Sequence, residues 1–288
     1  MEFTRIPTPQ GDINAVRRGT SPNTILFIHV NSGSWRMFKH LLASDSLASR
    51  YTLIAFDLPG HGDSADAPAD QQAGQEVYTF AGYARAAVAV LRHYAAASVV
   101  IYGCSLGGHI AVDAAMQLAE TSNNEVIKVR GIMTSGSPLC HNRAEAIEGF
   151  NLDPDDNVAA AESLTEDQVQ VMVRKGFGGE EEPWMREAAL RTDARARPTM
   201  FKSIMRGDGR DHRKFVRETT AFPLAVVNGA EDVFMKVDVF EKIHVGHGNL
   251  WRGRIIRIEG SGHSPCWDQP AVFVPLFEEF VDESFSGV

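Results

Sequence analysis

The strongest constraint on this chain is a set of apolar runs that do not alternate with polar residues. Thr24-Ile-Leu-Phe-Ile-His-Val30 and Tyr51-Thr-Leu-Ile-Ala-Phe56 have strand length and stay apolar over consecutive positions, the pattern of strands covered on both faces. Further strand patterns follow at Ser98 to Tyr102, Val126 to Met133, Pro223 to Gly229 and Gly253 to Glu259, and two short ones open the chain at Glu2 to Ile6 and Asp12 to Arg17. Helical patterns lie between them. Residues 78–94 place Phe80, Tyr83, Ala87, Val90, Leu91 and Tyr94 at spacings of three and four, an amphipathic helix. Others run from Trp35 to about Leu42, Leu106 to Glu120, Lys236 to His244 and Pro270 to about Asp282. Strands alternating with helices need right-handed crossovers, so the expected fold is α/β, a mostly parallel sheet of about eight strands with helices on both faces.

The alternation stops from about Leu139 to Ala221, where only short helical patterns, a cluster of glycines (Gly176, Gly178, Gly179) and the acidic Glu180 to Glu182 occur. The expected organisation is a core domain of residues 1–138 and 222–288 interrupted by a helical lid at 139–221. Residues 186–217 hold ten Lys or Arg against four Asp or Glu. A solvated basic face of the lid is the simplest reading, with steering of an anionic substrate or product as the second.

Composition excludes several classes. An apolar share of 44% with 23% charged residues is that of a globular chain, not a disordered one. A net charge of −9 opposes binding to nucleic acid and to anionic membranes. No apolar run reaches the ~18 residues of a membrane span, and the N-terminus lacks the basic start and apolar stretch of a signal peptide. Three cysteines, an odd number, fit a reducing compartment. A soluble cytoplasmic protein is expected, with its oligomeric state open.

The chemistry centres on Val99-Val-Ile-Tyr-Gly103-Cys-Ser105-Leu-Gly107-Gly108. A Gly-x-Ser-x-Gly between a buried strand and a helix is a nucleophile elbow, a turn that projects the serine Oγ above the sheet at a helix N-terminus. A serine hydroxyl needs a base, and the base an orienting acid. His263 follows the last strand in Gly260-Ser-Gly-His263, at the sheet edge that carries the elbow, and the loop after the strand ending at Asn228 offers Glu231 and Asp232. The chain order Ser, acid, His suits this arrangement. For the oxyanion, the N–H of Leu106 directly follows the nucleophile, and by position the N–H of Asn31 in His29-Val-Asn-Ser-Gly-Ser34 is the second donor, its side chain also within reach of substrate.

With these residues assembled, the sequence resembles the α/β-hydrolase superfamily. The resemblance is carried by Phe56-Asp-Leu-Pro-Gly-His-Gly-Asp-Ser64, Gly103-Cys-Ser-Leu-Gly-Gly108, Gly229-Ala-Glu-Asp232 and Gly260-Ser-Gly-His263. Within it, Asn31-Ser-Gly-Ser34, Ser105-Leu-Gly-Gly-His-Ile110, Arg191-Thr-Asp-Ala-Arg-Ala-Arg197, Ala225-Val-Val-Asn-Gly229 and Gly248-Asn-Leu-Trp-Arg-Gly253 are similar to the α/β-hydrolase type of N-acyl-homoserine lactone hydrolase. The resemblance implies a Ser105–Asp232–His263 triad, with Asp232 favoured over Glu231, and an acyl-enzyme on Ser105 formed from a small-molecule lactone or ester. A carboxylesterase, a thioesterase and a ligand-binding relative without turnover are the alternatives; cofactor-free oxygenases and C–C bond hydrolases share the scaffold. One departure stands out: the family usually has glycine after the histidine of the oxyanion loop, where this chain has Val30, and a β-branched residue does not easily take a positive φ. In the lid, Phe150, Met172, Phe177 and Trp184 are the candidates for an acyl pocket, though each also reads as lid core.

Other features point away from different chemistries. His244 and His247 stand at i, i+3 without the His-rich cluster of a metallo-lactonase, and no phosphate-binding glycine motif occurs, so neither metal nor cofactor is expected. Serine at the elbow argues against enzymes that use a carboxylate nucleophile. His61 reads as structural, and Cys104 is expected to point away from substrate.

Overall fold

The apolar runs pair side by side. In this computed structural model, which describes residues 1–69, 76–120, 127–151, 158–178, 181–244 and 248–287, eight strands form one sheet in the order β1-β2-β4-β3-β5-β6-β7-β8. They are β1 (Glu2–Ile6), β2 (Ile13–Arg18), β3 (Asn23–Ile28), β4 (Thr52–Phe56), β5 (Ser98–Cys104), β6 (Lys128–Ser135), β7 (Leu224–Gly229) and β8 (Ile256–Ile258). β1 and β2 pair antiparallel, β2 meets β4 antiparallel, and every later pairing is parallel. The expected last strand is shorter than its apolar pattern, because Trp251–Gly253 forms a helical turn with Arg252 at φ 55° and releases the chain to the sheet only at Ile256. Val126, where the sixth strand was expected to start, lies outside the described residues.

Alternation along each strand divides the core. On β3, Leu26 and Ile28 face the side covered by α1 (Phe80–His93) and α2 (Leu106–Glu120). Ile25 and Phe27 face the side packed by α8 (Pro270–Ser286), through Phe273, Phe277 and Phe280. All seven residues of β5 are buried, which places the elbow at the end of a fully covered central strand. Among the described residues no helix is long and apolar enough to cross a membrane.

Between β6 and β7 the described chain forms α3 (Arg143–Gly149), α4 (Glu166–Phe177), α5 (Pro183–Arg191), α6 (Ala196–Arg206) and α7 (His212–Glu218). The basic stretch here is not simply a solvated face. Arg191 donates to the Ser64 carbonyl and pairs with Asp66 at 2.8 Å. Arg195 donates to the carbonyls of Ala67 and Pro68 and pairs with Asp193, while the Asp193 N–H reaches the Gly60 carbonyl at 2.8 Å. Arg213 bonds the Pro138 carbonyl and Glu148, and Arg197 is buried. The arginines tether the insertion to the loops of the core.

The loop after β4 turns on Asp57, which is fully buried. Its carboxylate accepts from the N–H of Trp35 and of Asp63 and from Asn14 Nδ2, each at 2.9 Å. A Cβ on Gly62 (φ +49°) would lie 2.3 Å from the Asp57 carboxyl carbon, so glycine is required both by conformation and by space. Asp57→Ala leaves three donors without their acceptor and should cost about 3 kcal/mol or more. Urea unfolding followed by circular dichroism checks this, with the serine site chemically unaltered.

Candidate active site

The strand–turn–helix passage at residues 103–108 has no room for larger residues. A Cβ on Gly103 would fall 2.0 Å from the Gly107 carbonyl oxygen, and one on Gly107 would fall 2.0 Å from that of Ile28. Ser105 itself takes φ 55°, the left-handed region that non-glycine residues seldom occupy. Its N–H donates to the Ser135 carbonyl at 2.7 Å. Its carbonyl accepts from Ser137 Oγ at 2.7 Å, from the Gly108 N–H at 3.0 Å and from His109 Nδ1 at 3.2 Å. Leu106 then opens α2, and its N–H is among the unpaired donors that begin any helix.

The loops after β7 and β8 bring the remaining groups to the same edge. His263 Nδ1 lies 2.8 Å from Asp232 Oδ2, and both residues are buried. Asp232 Oδ1 accepts from the Phe234 N–H at 2.9 Å, and the Phe234 ring meets the imidazole edge-on at 4.9 Å. A proton on Nδ1 that donates to Asp232 leaves Nε2 with the lone pair. Glu231 is exposed and contributes its backbone N–H to the Ser261 carbonyl. Gly136 completes the fit: it takes φ +58°, and a Cβ there would lie 2.7 Å from His263 Cε1. Its N–H is held by Asn228 Oδ1 at 2.8 Å. Sequence reasoning passed over this glycine, whose only signal is its place directly after the central strand β6.

Val30 does not adopt a positive φ; the left-handed residue is Ser32, at φ 58°. The Val30 carbonyl accepts from the Gly33 N–H at 3.1 Å and from His29 Nδ1 at 2.7 Å, so the loop turns two residues later than a glycine after the histidine would make it. His29 Nε2 accepts from the Leu58 N–H at 2.9 Å. Burial lowers the pKa of His29 and brings that of His61 down to about 3. Both are therefore neutral imidazoles; His29 bonds the Val30 carbonyl of this loop and His61 that of Pro59 in the loop after β4.

A cavity of about 140 Å³ opens over these groups, several times the ~10–15 Å³ that one water requires. Ser105, Leu106, His263 and Asn31 lie on its wall together with Val30 and Ser32. Of the candidates in the insertion, Phe150, Met172 and Phe177 line it. Trp184 does not; its ring packs edge-on against Phe177 and Trp267, and its Nε1 donates to Glu182. The sequence pattern did not single out Met185, Met200, Phe201, Met205 or Met235, which also line it, because helical spacing does not separate a cavity face from a core face. His109 on the wall was likewise missed as a site residue, although its position four after Ser105 puts it on the same face of α2.

Cys104 is buried with its Sγ 3.5 Å from the His263 carbonyl, and burial holds its thiol pKa well above the ordinary value. Among the described residues, His141, Glu145 and Asp211 bring ligand-type atoms within 4.8 Å of one another. None of the three lines the cavity, and the Arg213 guanidinium already stands 3.8 Å from Glu145. His247 and the side chain of His244 lie outside the described residues.

A glycine-locked serine, an Asp-supported histidine and a helix N-terminus meeting at one sheet edge define an α/β-hydrolase. The family model for the alpha/beta hydrolase family matches residues 25–276, and the chain belongs to that family. Among solved structures it is similar to the N-acyl homoserine lactonase AidH complexed with N-butanoyl homoserine, with 32% identity over 99% of this chain and 97% of that one and a TM-score of 0.88. A mutant of the same lactonase, complexed with N-hexanoyl homoserine lactone, matches equally well, again at 32% identity and a TM-score of 0.88. The esterase RhEst1 from Rhodococcus sp. shares the fold at 20% identity, covering 98% of this chain and 99% of that one, with a TM-score of 0.77. By sequence, an uncharacterized protein of Mycobacterium bovis is 28% identical over 96% of this chain and 80% of its own.

His109 sets an expectation for pH. Burial first, then the neighbouring His212, brings its pKa down to about 3 from the ordinary 6.5. The unfolded chain takes up a proton there below pH 6.5 while the folded chain does not, so stability falls as pH drops from about 6.5 towards 3. His109→Gln, which can still donate to the Ser105 carbonyl, should flatten that slope by up to about 1.4 kcal/mol per pH unit. Urea unfolding at a series of pH values measures it; an unchanged slope would show that His109 ionises freely in the fold.

Proposed function

We propose that this protein is a serine hydrolase that opens the ring of an N-acyl-homoserine lactone through an acyl-enzyme on Ser105. The observation that carries this reading is the apolar cavity with Ser105 and His263 on one wall and the insertion's methionines and phenylalanines on the others. It suits an acyl tail ending in a reactive carbonyl. The full-length similarity to a lactonase supports the choice of leaving group.

Ser105 Oγ attacks the carbonyl carbon while His263 Nε2 takes its proton. Asp232 holds the imidazole tautomer and supports the imidazolium that forms. The N–H groups of Asn31 and Leu106 stabilise the oxyanion, each donor being worth ~10²–10³ in rate. In a lactone the departing alkoxide stays tethered to the acyl group and can re-close the ring, so prompt protonation by His263 decides the outcome. Water activated by the same histidine then releases the N-acyl-homoserine. Residues 139–221 act in this scheme as a lid that excludes bulk water from the acyl-enzyme. The nucleophile, base and donors account for every proton movement, so the scheme assigns no metal or cofactor.

Methionine conforms to irregular apolar shapes. Met172, Met185, Met200, Met205 and Met235 on the cavity wall therefore favour tolerance of several tail lengths. A general carboxylesterase is the second reading, favoured by the same apolar cavity.

The deciding experiment compares kcat/KM for homoserine lactones of short and long tail with p-nitrophenyl esters of equal tail. Lactone opening well above the uncatalysed rate, surviving a chelator, is expected. Ready turnover of aryl esters with no lactone opening would make this a carboxylesterase. Ser105→Ala should leave only the ~10³–10⁴ over water that binding and the oxyanion donors provide.

The acid is tested separately. Asp232→Asn should lower kcat by about 10⁴ through the wrong imidazole tautomer, while Glu231→Gln leaves it within about twofold of wild type, as expected for an exposed side chain outside the site. Steady-state kinetics on whichever substrate turns over ranks the two, and the reverse order would reassign the acid to Glu231.

A further inference from the structure

Arg197 is a cation in an unusual position. Its residual exposure is 2%, and among the described residues no carboxylate pairs with it. Its donors go to neutral oxygens instead: Nε to the Ala161 carbonyl at 2.7 Å, Nη2 to that of Glu162 at 3.2 Å, and Nη1 to that of Ala189 at 3.3 Å and to Ser32 Oγ at 3.0 Å. Burial lowers the pKa of the guanidinium, yet an arginine keeps its charge in a protein interior. An uncompensated buried charge is costly, so the planar fork that satisfies it fixes all four acceptors with respect to one another.

Those acceptors belong to two different parts of the site. Ala161 and Glu162 lie in the insertion beside Ala159, whose carbonyl accepts from Asn31 Nδ2 at 3.3 Å. Ser32 is the left-handed residue of the oxyanion loop, and its Oγ also lies 3.2 Å from Asn31 Oδ1. The left-handed conformation costs a non-glycine residue energy unless something holds it. Arg197 reaches Ser32 from α6, outside the loop.

We propose that Arg197 is a positioning residue for the oxyanion site: by clamping Ser32 and the 159–162 segment together, it aims the Asn31 N–H at the position of the substrate oxyanion and makes that alignment depend on the seating of the insertion. The proposal rests on the hydrolase reading of Ser105.

The test uses Arg197→Met, Arg197→Lys and Ser32→Ala, each assayed for kcat, KM, thermal midpoint and affinity for an alkyl boronic acid, which forms a tetrahedral adduct on Ser105. Arg197→Met should lose about 10- to 100-fold in kcat, a misaligned donor being worth less than a deleted one. KM should change by less than about threefold, and boronate affinity should fall by the same factor as kcat. Lysine restores charge without the fork, so Arg197→Lys should regain thermal stability more than kcat. Ser32→Ala removes the Arg197 bond to the loop, together with the Ser32 Oγ bond to Asn31 Oδ1, and leaves the three carbonyl bonds. It should lower kcat without lowering the thermal midpoint by more than a few degrees, and it decides the matter if Arg197→Met does not fold. Arg197→Met combined with Ser32→Ala should be no slower than Arg197→Met alone. Wild-type kcat and boronate affinity in Ser32→Ala, or losses confined to KM and thermal midpoint throughout, overturn the proposal. A wild-type protein whose Ser105 reacts with no ester, lactone or fluorophosphonate overturns the hydrolase reading, and this inference with it.

Discussion

The left-handed backbone of Ser105 is the constraint from which the site follows. A residue with a side chain adopts that conformation at a cost of about 1–2 kcal/mol, and here three elements hold it. β6 accepts its N–H through Ser135, the segment after β6 donates to its carbonyl through Ser137, and α2 closes on it through Gly108 and His109. The contact of Gly107 with the end of β3 then sets how closely the loop of Asn31 and Ser32 approaches Ser105. A larger residue at 103 or 107 would push the helix from the strand ends, moving Ser105 and Leu106 together. The rigidity of the elbow is a property of three adjacent parallel strands and not of the turn alone.

Burial and hydrogen-bond partners divide the imidazoles near the sheet edge into two kinds. His29, His61 and His109 are all buried, and burial lowers the pKa of each. Their hydrogen bonds go to backbone groups, which suits neutral rings that brace loops. His263 is buried too but has the Asp232 carboxylate at 2.8 Å. His212 has a carboxylate too, Asp113 at 3.1 Å, but neither residue reaches the cavity wall. A carboxylate partner and access to the cavity coincide at His263.

The fold was legible because its signals are local. Unbroken apolar runs mark strands covered on both faces, and glycines around a serine mark a turn with no space for a Cβ. His263 and the pair Glu231 and Asp232 could be picked out because parallel topology sends the loops after β7 and β8 to the edge that carries the elbow; the choice of Asp232 within that pair came from the family resemblance. What stayed hidden depends on three-dimensional context. Trp184 and Met185 are neighbours on one helix, yet only Met185 reaches the cavity, and hydrophobicity treats the two alike. Val30 marked a departure at the loop after β3 but not where the loop would turn instead; it turns at Ser32, whose Oγ accepts from Arg197, 165 residues away. The arginines of the insertion looked like a charge excess because several of their acceptors are backbone carbonyls, which carry no signature in sequence, and most of their carboxylate partners lie far along the chain.

That use of carbonyl acceptors shapes how the insertion is held. A purely apolar interface would let the helices slide over the strand ends at little cost, since apolar contact is not directional. A guanidinium fork demands acceptors at fixed places. Arg191 and Arg195 spend theirs on the loop after β4, at Ser64, Ala67 and Pro68, and Arg197 spends its own on Ser32 and on the insertion itself. All three come from one seven-residue stretch, Arg191 to Arg197. The helices that wall the cavity are thus pinned beside the loop of Asn31 and Ser32 by bonds that, unlike apolar contact, fix direction as well as distance.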